Sequence, residues 1–157
     1  MRIGVISDTH GNKASIEQAV TVAGPVEMWL HAGDFCRDGQ YLKSYTGLPV
    51  TATAGNCDAN PVAKFDEFIE VAGKKIWLTH GHRYQDRSRS DELVWWARQF
   101  GVDVVIYGHS HIPDITWADG LLVFNPGSAA QPRSASGRSC GLLVIENGVV
   151  GASIYSI

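Results

Sequence analysis

Apolar runs alternate with helix-like patterns through the first third of the chain. Residues 2–7, 28–34 and 50–56 are short, mostly apolar segments that predict buried strands, and each ends in polar residues. Between them, residues 13–23 carry apolar side chains at helical spacing, and residues 38–46 predict a short polar helix. Strands that alternate with helices in this way favour parallel pairing.

The rest of the chain favours hairpins. Three pairs of strand-like segments are separated by short turns, namely 67–71 with 74–80, 114–117 with 121–125, and 140–146 with 149–156. A capping-box variant from Ser88 to Asp91 begins a helical pattern that reaches Phe100, and residues 102–108 predict another strand. A parallel half followed by hairpins predicts two mixed sheets packed together with helices outside. A single sheet with an antiparallel edge is the alternative.

Composition narrows the class of protein. The chain has 157 residues, of which 45% are hydrophobic and 18% charged, so we expect a single folded domain over residues 1–157. The 16 acidic and 13 basic residues give a net charge of −3, without the basic excess of a general nucleic-acid binder.

No apolar run reaches the roughly 18 residues of a membrane span. The N-terminus lacks a signal-peptide layout and the 3 cysteines lie far apart, so we expect a cytoplasmic protein without structural disulfides.

Side chains that can bind metal follow five of the predicted strands, at the point where each apolar run ends. They are Asp8 and His10, Asp34, Asn56, His80 and His82, and His109 and His111. Because the loops beyond the carboxyl ends of parallel strands converge on one crevice, we expect these residues to share one pocket. His31 instead lies inside a strand, where a packed structural histidine is expected.

This set offers oxygen and nitrogen ligands without sulfur. Aspartate, asparagine and imidazole suit Mn, Fe, Zn, Ni or Co better than Ca. Even seven of these eight side chains exceed the needs of one tetrahedral ion but suffice for two ions that share a carboxylate. Two ions about 3.5–4 Å apart are a recurrent device for hydrolysing phosphate esters. Taken singly, the aspartates could equally be helix caps and the histidines packed core residues.

Five sequence blocks carry a resemblance to a known family. They are SDTHGN (7–12), AGD (32–34), GNCD (55–58), THGH (79–82) and GHSH (108–111). In content and in order they resemble the calcineurin-like metallophosphoesterases. With NPGS at 125–128, the chain is similar in particular to the small YfcE-type phosphodiesterase branch.

The resemblance implies a four-layer αββα sandwich, in which two mixed β-sheets are flanked by helices. It also implies two divalent transition-metal ions per chain, with Mn expected and Ni, Co, Fe or Zn as alternatives. By motif position, Asp8, His10 and His111 would hold one ion, Asn56, His80 and His109 would hold the other, and Asp34 would bridge them. A hydroxide between the ions would then attack phosphorus in line with the departing alkoxide.

The sequence departs from the family pattern at Cys57. Many relatives carry a histidine there that steadies or protonates the leaving side, and a thiol is a weak donor with an ordinary pKa near 8.5. This difference favours phosphodiesters, or esters with good leaving groups, as substrates. We include Cys57 and Asp34 among the candidate catalytic residues. His82 is the third candidate. It could partly replace the missing histidine, support a metal ligand, or form ordinary hydrogen bonds.

Three further residues are candidates for substrate binding. Asn12 ends the first block and either points its amide at phosphate or caps the next helix. Ser128 and Arg133 lie in a turn-rich segment that either closes one wall of the pocket or is purely structural. The cluster of Arg83, Arg87 and Arg89 follows His82 and either attracts an anionic substrate or lies in a solvated loop.

The sequence therefore predicts a metal-dependent phosphodiesterase that acts on a small phosphodiester or nucleotide-like substrate. Two alternatives use the same fold: a phosphomonoesterase or nucleotide hydrolase with the same metals, and a non-catalytic protein-binding scaffold. The scaffold would be expected to have lost ligands, whereas every expected ligand type is present. A homo-oligomer is compatible with the sequence because Trp95 and Trp96 cannot both face the same side of a helix.

Overall fold

Two five-stranded sheets form the centre of the molecule. The computed structural model describes residues 1–84 and 89–157. Within them the elements are β1 (Arg2–Ile6), α1 (Lys13–Ala23), β2 (Met28–His31), α2 (Asp38–Thr46), β3 (Val50–Ala52), β4 (Asp66–Val71), β5 (Lys74–Thr79), α3 (Arg89–Phe100), β6 (Val104–Ile106), β7 (Asp114–Ala118), β8 (Leu121–Asn125), β9 (Ser139–Glu146) and β10 (Val149–Ser156).

Both sheets are mixed. The first has the order β10-β9-β1-β2-β3, with β1, β2 and β3 parallel and β9 antiparallel to both of its neighbours. The second has the order β4-β5-β6-β8-β7, with β5, β6 and β8 parallel and an antiparallel strand at each edge. The three predicted hairpins are confirmed as β4–β5, β7–β8 and β9–β10. The alternative of one sheet with an antiparallel edge is wrong.

The sheets pack face to face with helices on both outer sides. Buried aliphatic side chains such as Val5, Leu30, Leu78 and Ile106 fill the space between them. Helices α1 and α2 cover the first sheet through a cluster that includes Ile16, Leu42 and Trp29. Helix α3 covers the second sheet, where Leu93 and Ala97 pack against Trp77. The predicted four-layer αββα arrangement is confirmed.

The third strand is shorter than the sequence predicted. It ends at Ala52 because the following residues leave the sheet: the Ala54 amide donates to the Lys64 carbonyl at 2.8 Å and the Cys57 amide to Asp34 Oδ1 at 2.9 Å. The predicted capping residue Ser88 lies outside the described residues. Among the helices that the structure describes, none has the length and apolar character to cross a membrane.

Candidate metal centre

The candidate centre forms where loops from both sheets meet. The β1 and β2 loops lie side by side because the Asp8 amide donates to the Gly33 carbonyl at 3.0 Å. In the second sheet, the Gly108 amide donates to the His80 carbonyl at 3.2 Å. The Nδ1 atom of His80 lies 2.8 Å from the Ala32 carbonyl and joins the two pairs of loops. All four loops follow the carboxyl ends of strands that pair in parallel, β1 with β2 and β5 with β6.

Five of the predicted ligands adopt left-handed backbone conformations. Their φ angles are +53° for Asp8, +46° for His10, +54° for Asp34, +65° for His109 and +59° for His111. Residues other than glycine rarely adopt positive φ, and such strain concentrates at functional sites. Nothing in the sequence analysis predicted left-handed backbone at these five residues.

The first group of ligand atoms is compact and buried. Atoms of Asp8, His10, Asp34 and His111 all lie within 4.8 Å of one another. Asp8 Oδ2 accepts hydrogen bonds from Ser7 Oγ at 2.6 Å and the His109 amide at 3.1 Å. His10 Nε2 is buried without a hydrogen-bond partner among the described residues, and the buried Asp8 Oδ1 lies 3.1 Å from His111 Nε2. Two buried polar atoms that face carboxylate and imidazole ligands fit a divalent transition metal at this position.

A second group surrounds His80. Its Nε2 atom lies 3.1 Å from Asn56 Oδ1 and 3.3 Å from Asp34 Oδ1, and its ring is 5.2 Å from that of His109. The other carboxylate oxygen of Asp34 is 3.9 Å from His10 Nε2. Asp34 therefore has one oxygen toward each group.

Two imidazoles are held so that Nε2 faces the centre. His80 donates from Nδ1 to the Ala32 carbonyl at 2.8 Å, and His111 donates from Nδ1 to the Gln131 carbonyl at 2.5 Å. Such contacts fix the tautomer and the ring orientation of metal-binding histidines. The sequence did not predict these two carbonyl acceptors, because every residue type has a main-chain carbonyl.

The buried charges shift the protonation of these groups. Burial alone would raise the pKa of Asp34, but the hydrogen bond and charge of His80 hold it well below its usual range. Burial opposes protonation of His80, yet Asp34 and Asp8 together raise its pKa. For His111, the contact with Asp8 raises the pKa. Each imidazole offsets carboxylate charge that a bound cation would otherwise neutralise.

The GNCD loop is fixed by Asp58, which sequence reasoning missed. Asp58 accepts from the Cys36 amide through Oδ1 and from the Gly55 amide through Oδ2, both at 2.8 Å. The Cys57 side chain is exposed beside Asp34, and desolvation together with that carboxylate raises its pKa to about 11. The thiol is therefore protonated near neutral pH.

A match to a known family decides the class of protein. A family model described as the calcineurin-like phosphoesterase superfamily domain matches residues 1–148. The chain belongs to this superfamily. It is 30% identical over 160 residues to a probable metallophosphoesterase of Bacillus subtilis, covering 99% of this chain and 90% of that protein. It is 33% identical over 146 residues to a phosphodiesterase of Methanocaldococcus jannaschii, covering 81% and 83% respectively.

A solved structure gives the same result for the fold. A Streptococcus pneumoniae protein described as a predicted phosphoesterase superposes with a TM-score of 0.82 and 27% sequence identity, covering 98% of this chain and 87% of that one. The candidate centre thus belongs to a metallophosphoesterase, and the described side chains include a cluster suited to metal binding.

The predicted substrate residues of this metallophosphoesterase have different surroundings. Asn12 caps helix α1, since its Oδ1 accepts from the Ser15 amide at 3.1 Å. Ser128 is fully buried and donates to the Asp8 carbonyl at 2.9 Å, which favours the structural alternative. The Arg133 side chain is exposed, its amide donates to the His111 carbonyl at 3.2 Å, and its charge opposes protonation of His111. A role of these residues in substrate binding stays a prediction.

His82 and Arg83 border the second group. The half-buried His82 ring is 5.3 Å from that of His80 and 6.1 Å from that of His109. Burial and the neighbouring His80 lower its pKa, so it is neutral at neutral pH. Arg83 lies over the Phe65 ring at 5.4 Å and forms a 3.4 Å ion pair with Asp66. Arg87 lies outside the described residues.

Proposed function

We propose that this metallophosphoesterase hydrolyses phosphodiesters with two divalent transition-metal ions, of which Mn is the expected one. The observation that carries the proposal is the position of Asp34. One of its carboxylate oxygens is 3.9 Å from His10 Nε2 and the other is 3.3 Å from His80 Nε2. A carboxylate with imidazoles on both sides supports a two-ion centre.

We assign three of the candidate ligands to each ion and one to both. Asp8, His10 and His111 would hold the first, Asn56, His80 and His109 would hold the second, and Asp34 would touch both. Bound ions of this kind activate water as a nucleophile and neutralise phosphoryl oxygens. The chain itself orients the imidazoles through main-chain carbonyls, keeps Asp34 ionised, and offers the Arg133 cation beside His111.

A diester is favoured over a monoester by the residue at position 57. A protonated thiol with a pKa of about 11 is a poor proton donor to a departing alkoxide. A relative with 33% identity is named a phosphodiesterase. The ligand geometry does not favour the scaffold alternative. A binding module has no need for a buried cluster in which Asp8 Oδ1 lies 3.1 Å from His111 Nε2 and, among the described residues, His10 Nε2 has no hydrogen-bond partner.

Turnover of an activated aryl phosphodiester tests the proposal. The chelated protein should be inactive, and Mn should restore activity together with close to two ions per chain. We expect Asp34→Asn to lower kcat/KM at least 100-fold and to reduce metal content, because the shared carboxylate is lost. Asp119→Asn makes the same chemical change at a carboxylate that is 87% exposed, so it should behave as wild type. Metal binding without turnover in Mn, Ni or Co would contradict the enzyme assignment.

A further inference from the structure

Phe35 is an exposed aromatic side chain at the rim of the candidate centre. It directly follows Asp34, yet it is 41% exposed whereas Asp34 is 2% exposed. Its ring meets that of His10 edge-on, with the centroids 5.5 Å apart. The ring therefore borders the first group of ligands and also faces solvent.

The main chain holds Phe35 in an unfavourable conformation. Its φ is +66°, in the left-handed region that bulky residues avoid. The Phe35 carbonyl accepts from the Asp38 amide at 2.8 Å, and the Cys36 amide donates to Asp58 Oδ1 at 2.8 Å. Glycine or asparagine would fit this backbone with less strain, and burial does not account for the aromatic ring. Strain of this kind at a site edge points to a functional reason for the side chain.

Phe35 and Cys57 are connected to different oxygens of the Asp34 carboxylate. The Oδ2 atom faces His10, which contacts Phe35, whereas Oδ1 accepts from the Cys57 amide. Cys57 occupies the position assigned to the leaving side by the family resemblance. The leaving arm departs on the Cys57 side, in line with the entering hydroxide, so the arm that can lie sideways against Phe35 is the one that stays on phosphorus.

We propose that Phe35 binds this retained arm by stacking, and that the preferred substrates are phosphodiesters whose retained arm carries an aromatic or heterocyclic ring, such as a nucleobase. This inference rests on the proposed function. Every base offers a flat π surface, and stacking on an exposed aromatic side chain contributes substantially to binding. Phe65 is similarly exposed, at 38%, but its ring already carries the Arg83 guanidinium at 5.4 Å.

Two substrates with the same leaving group test the inference. Thymidine 5′-(p-nitrophenyl phosphate) and ethyl p-nitrophenyl phosphate both release p-nitrophenolate and differ only in the retained arm. We expect the Mn-treated wild-type protein to favour the thymidine ester in kcat/KM by roughly tenfold. Phe35→Leu, which keeps an apolar side chain without the π surface, should bring the ratio close to one. Phe35→Tyr should retain the preference, and Phe65→Leu is the matched control whose ratio should equal that of the wild type.

Binding gives a second readout that does not depend on turnover. By calorimetry, the wild-type protein should bind thymidine 5′-phosphate about tenfold more tightly than methyl phosphate, and Phe35→Leu should lose that difference. Hydrolysis of both esters with a ratio that Phe35→Leu leaves unchanged would overturn the role of Phe35. Failure to hydrolyse either ester would instead overturn the proposed function, and the two binding constants would then decide separately whether Phe35 stacks on the base.

Discussion

His31 shows how a residue outside the ligand set shapes the centre. It is fully buried, its Nδ1 accepts from the Gly33 amide at 3.2 Å, and its Nε2 donates to Thr9 Oγ1 at 2.9 Å. Thr9 in turn donates to Asp38 Oδ2, which also accepts from the Gly11 amide. Because Thr9 lies between Asp8 and His10, this chain of hydrogen bonds fixes both ligands in their left-handed conformations.

This arrangement predicts a pH dependence of stability. Burial lowers the pKa of His31, so the folded protein keeps the ring neutral, whereas the unfolded chain takes up a proton near pH 6.5. The contribution of neutral His31 to the free energy of unfolding is therefore fully present above pH 6.5. It decreases as pH falls below that value, by up to about 1.4 kcal/mol per pH unit. His31→Gln keeps an N–H donor but does not titrate, so its free energy of unfolding should fall less steeply between pH 6.5 and 5.

Urea unfolding of the metal-free proteins at several pH values measures this difference. Comparing the variant with the wild type cancels the contributions of His80 and His111, whose pKa values are raised and which act in the opposite direction. Parallel curves for the two proteins would show that His31 titrates normally in the folded state.

Among the elements, the three hairpins share one type of turn but differ in how well their residues suit it. The central residues have φ angles of +51° and +74° in Ala72-Gly73, +51° and +84° in Asp119-Gly120, and +52° and +77° in Asn147-Gly148. Type I′ turns require positive φ at both positions and favour asparagine or aspartate before glycine. Ala72 is therefore the one poorly suited residue of the three turns.

Exchanging the residues of two turns should change stability in opposite directions. Ala72→Asn should raise the free energy of unfolding by about 0.5–1 kcal/mol, because asparagine tolerates the left-handed region better than alanine. Asn147→Ala should lower it by a similar amount. Both positions are exposed, so packing is unaffected. Urea denaturation measures both values, and a change of the same sign in the two variants would contradict the explanation.

The elements were more predictable than the details of the loops. Strand β1 and the hairpin at Asn147 follow from local hydrophobic pattern and turn residues, which the sequence displays directly. The early end of β3 and the role of Asp58 depend on hydrogen bonds between loops that are far apart in sequence. The left-handed conformation of Phe35 is likewise imposed by contacts with other segments, and nothing in its residue type indicates it.

At the scale of the whole molecule, packing of the two sheets brings histidines of the second sheet against two buried carboxylates of the first. Asp8 follows β1 and Asp34 follows β2, which are neighbouring strands of the first sheet. Both residues are almost completely buried. The imidazole of His80, from the other sheet, lies 3.3 Å from Asp34 and 4.0 Å from Asp8. Without a cation, the imidazoles of His80 and His111 offset this carboxylate charge, and a bound cation would take over that role.

Metal binding should therefore stabilise the whole fold. A ligand that binds only the folded state at 100 times its Kd adds about 2.7 kcal/mol, which for a chain of this size corresponds to a rise of roughly 5–10 °C in Tm. We expect this rise when Mn is added to the chelated wild-type protein, and a much smaller one in Asp34→Asn, which removes the shared charge. Asp119→Asn should retain the full rise. Differential scanning calorimetry measures all three proteins. An equal rise in Asp34→Asn and the wild type would mean that the stabilising ions bind elsewhere, and that the loops of the two sheets do not form the metal site.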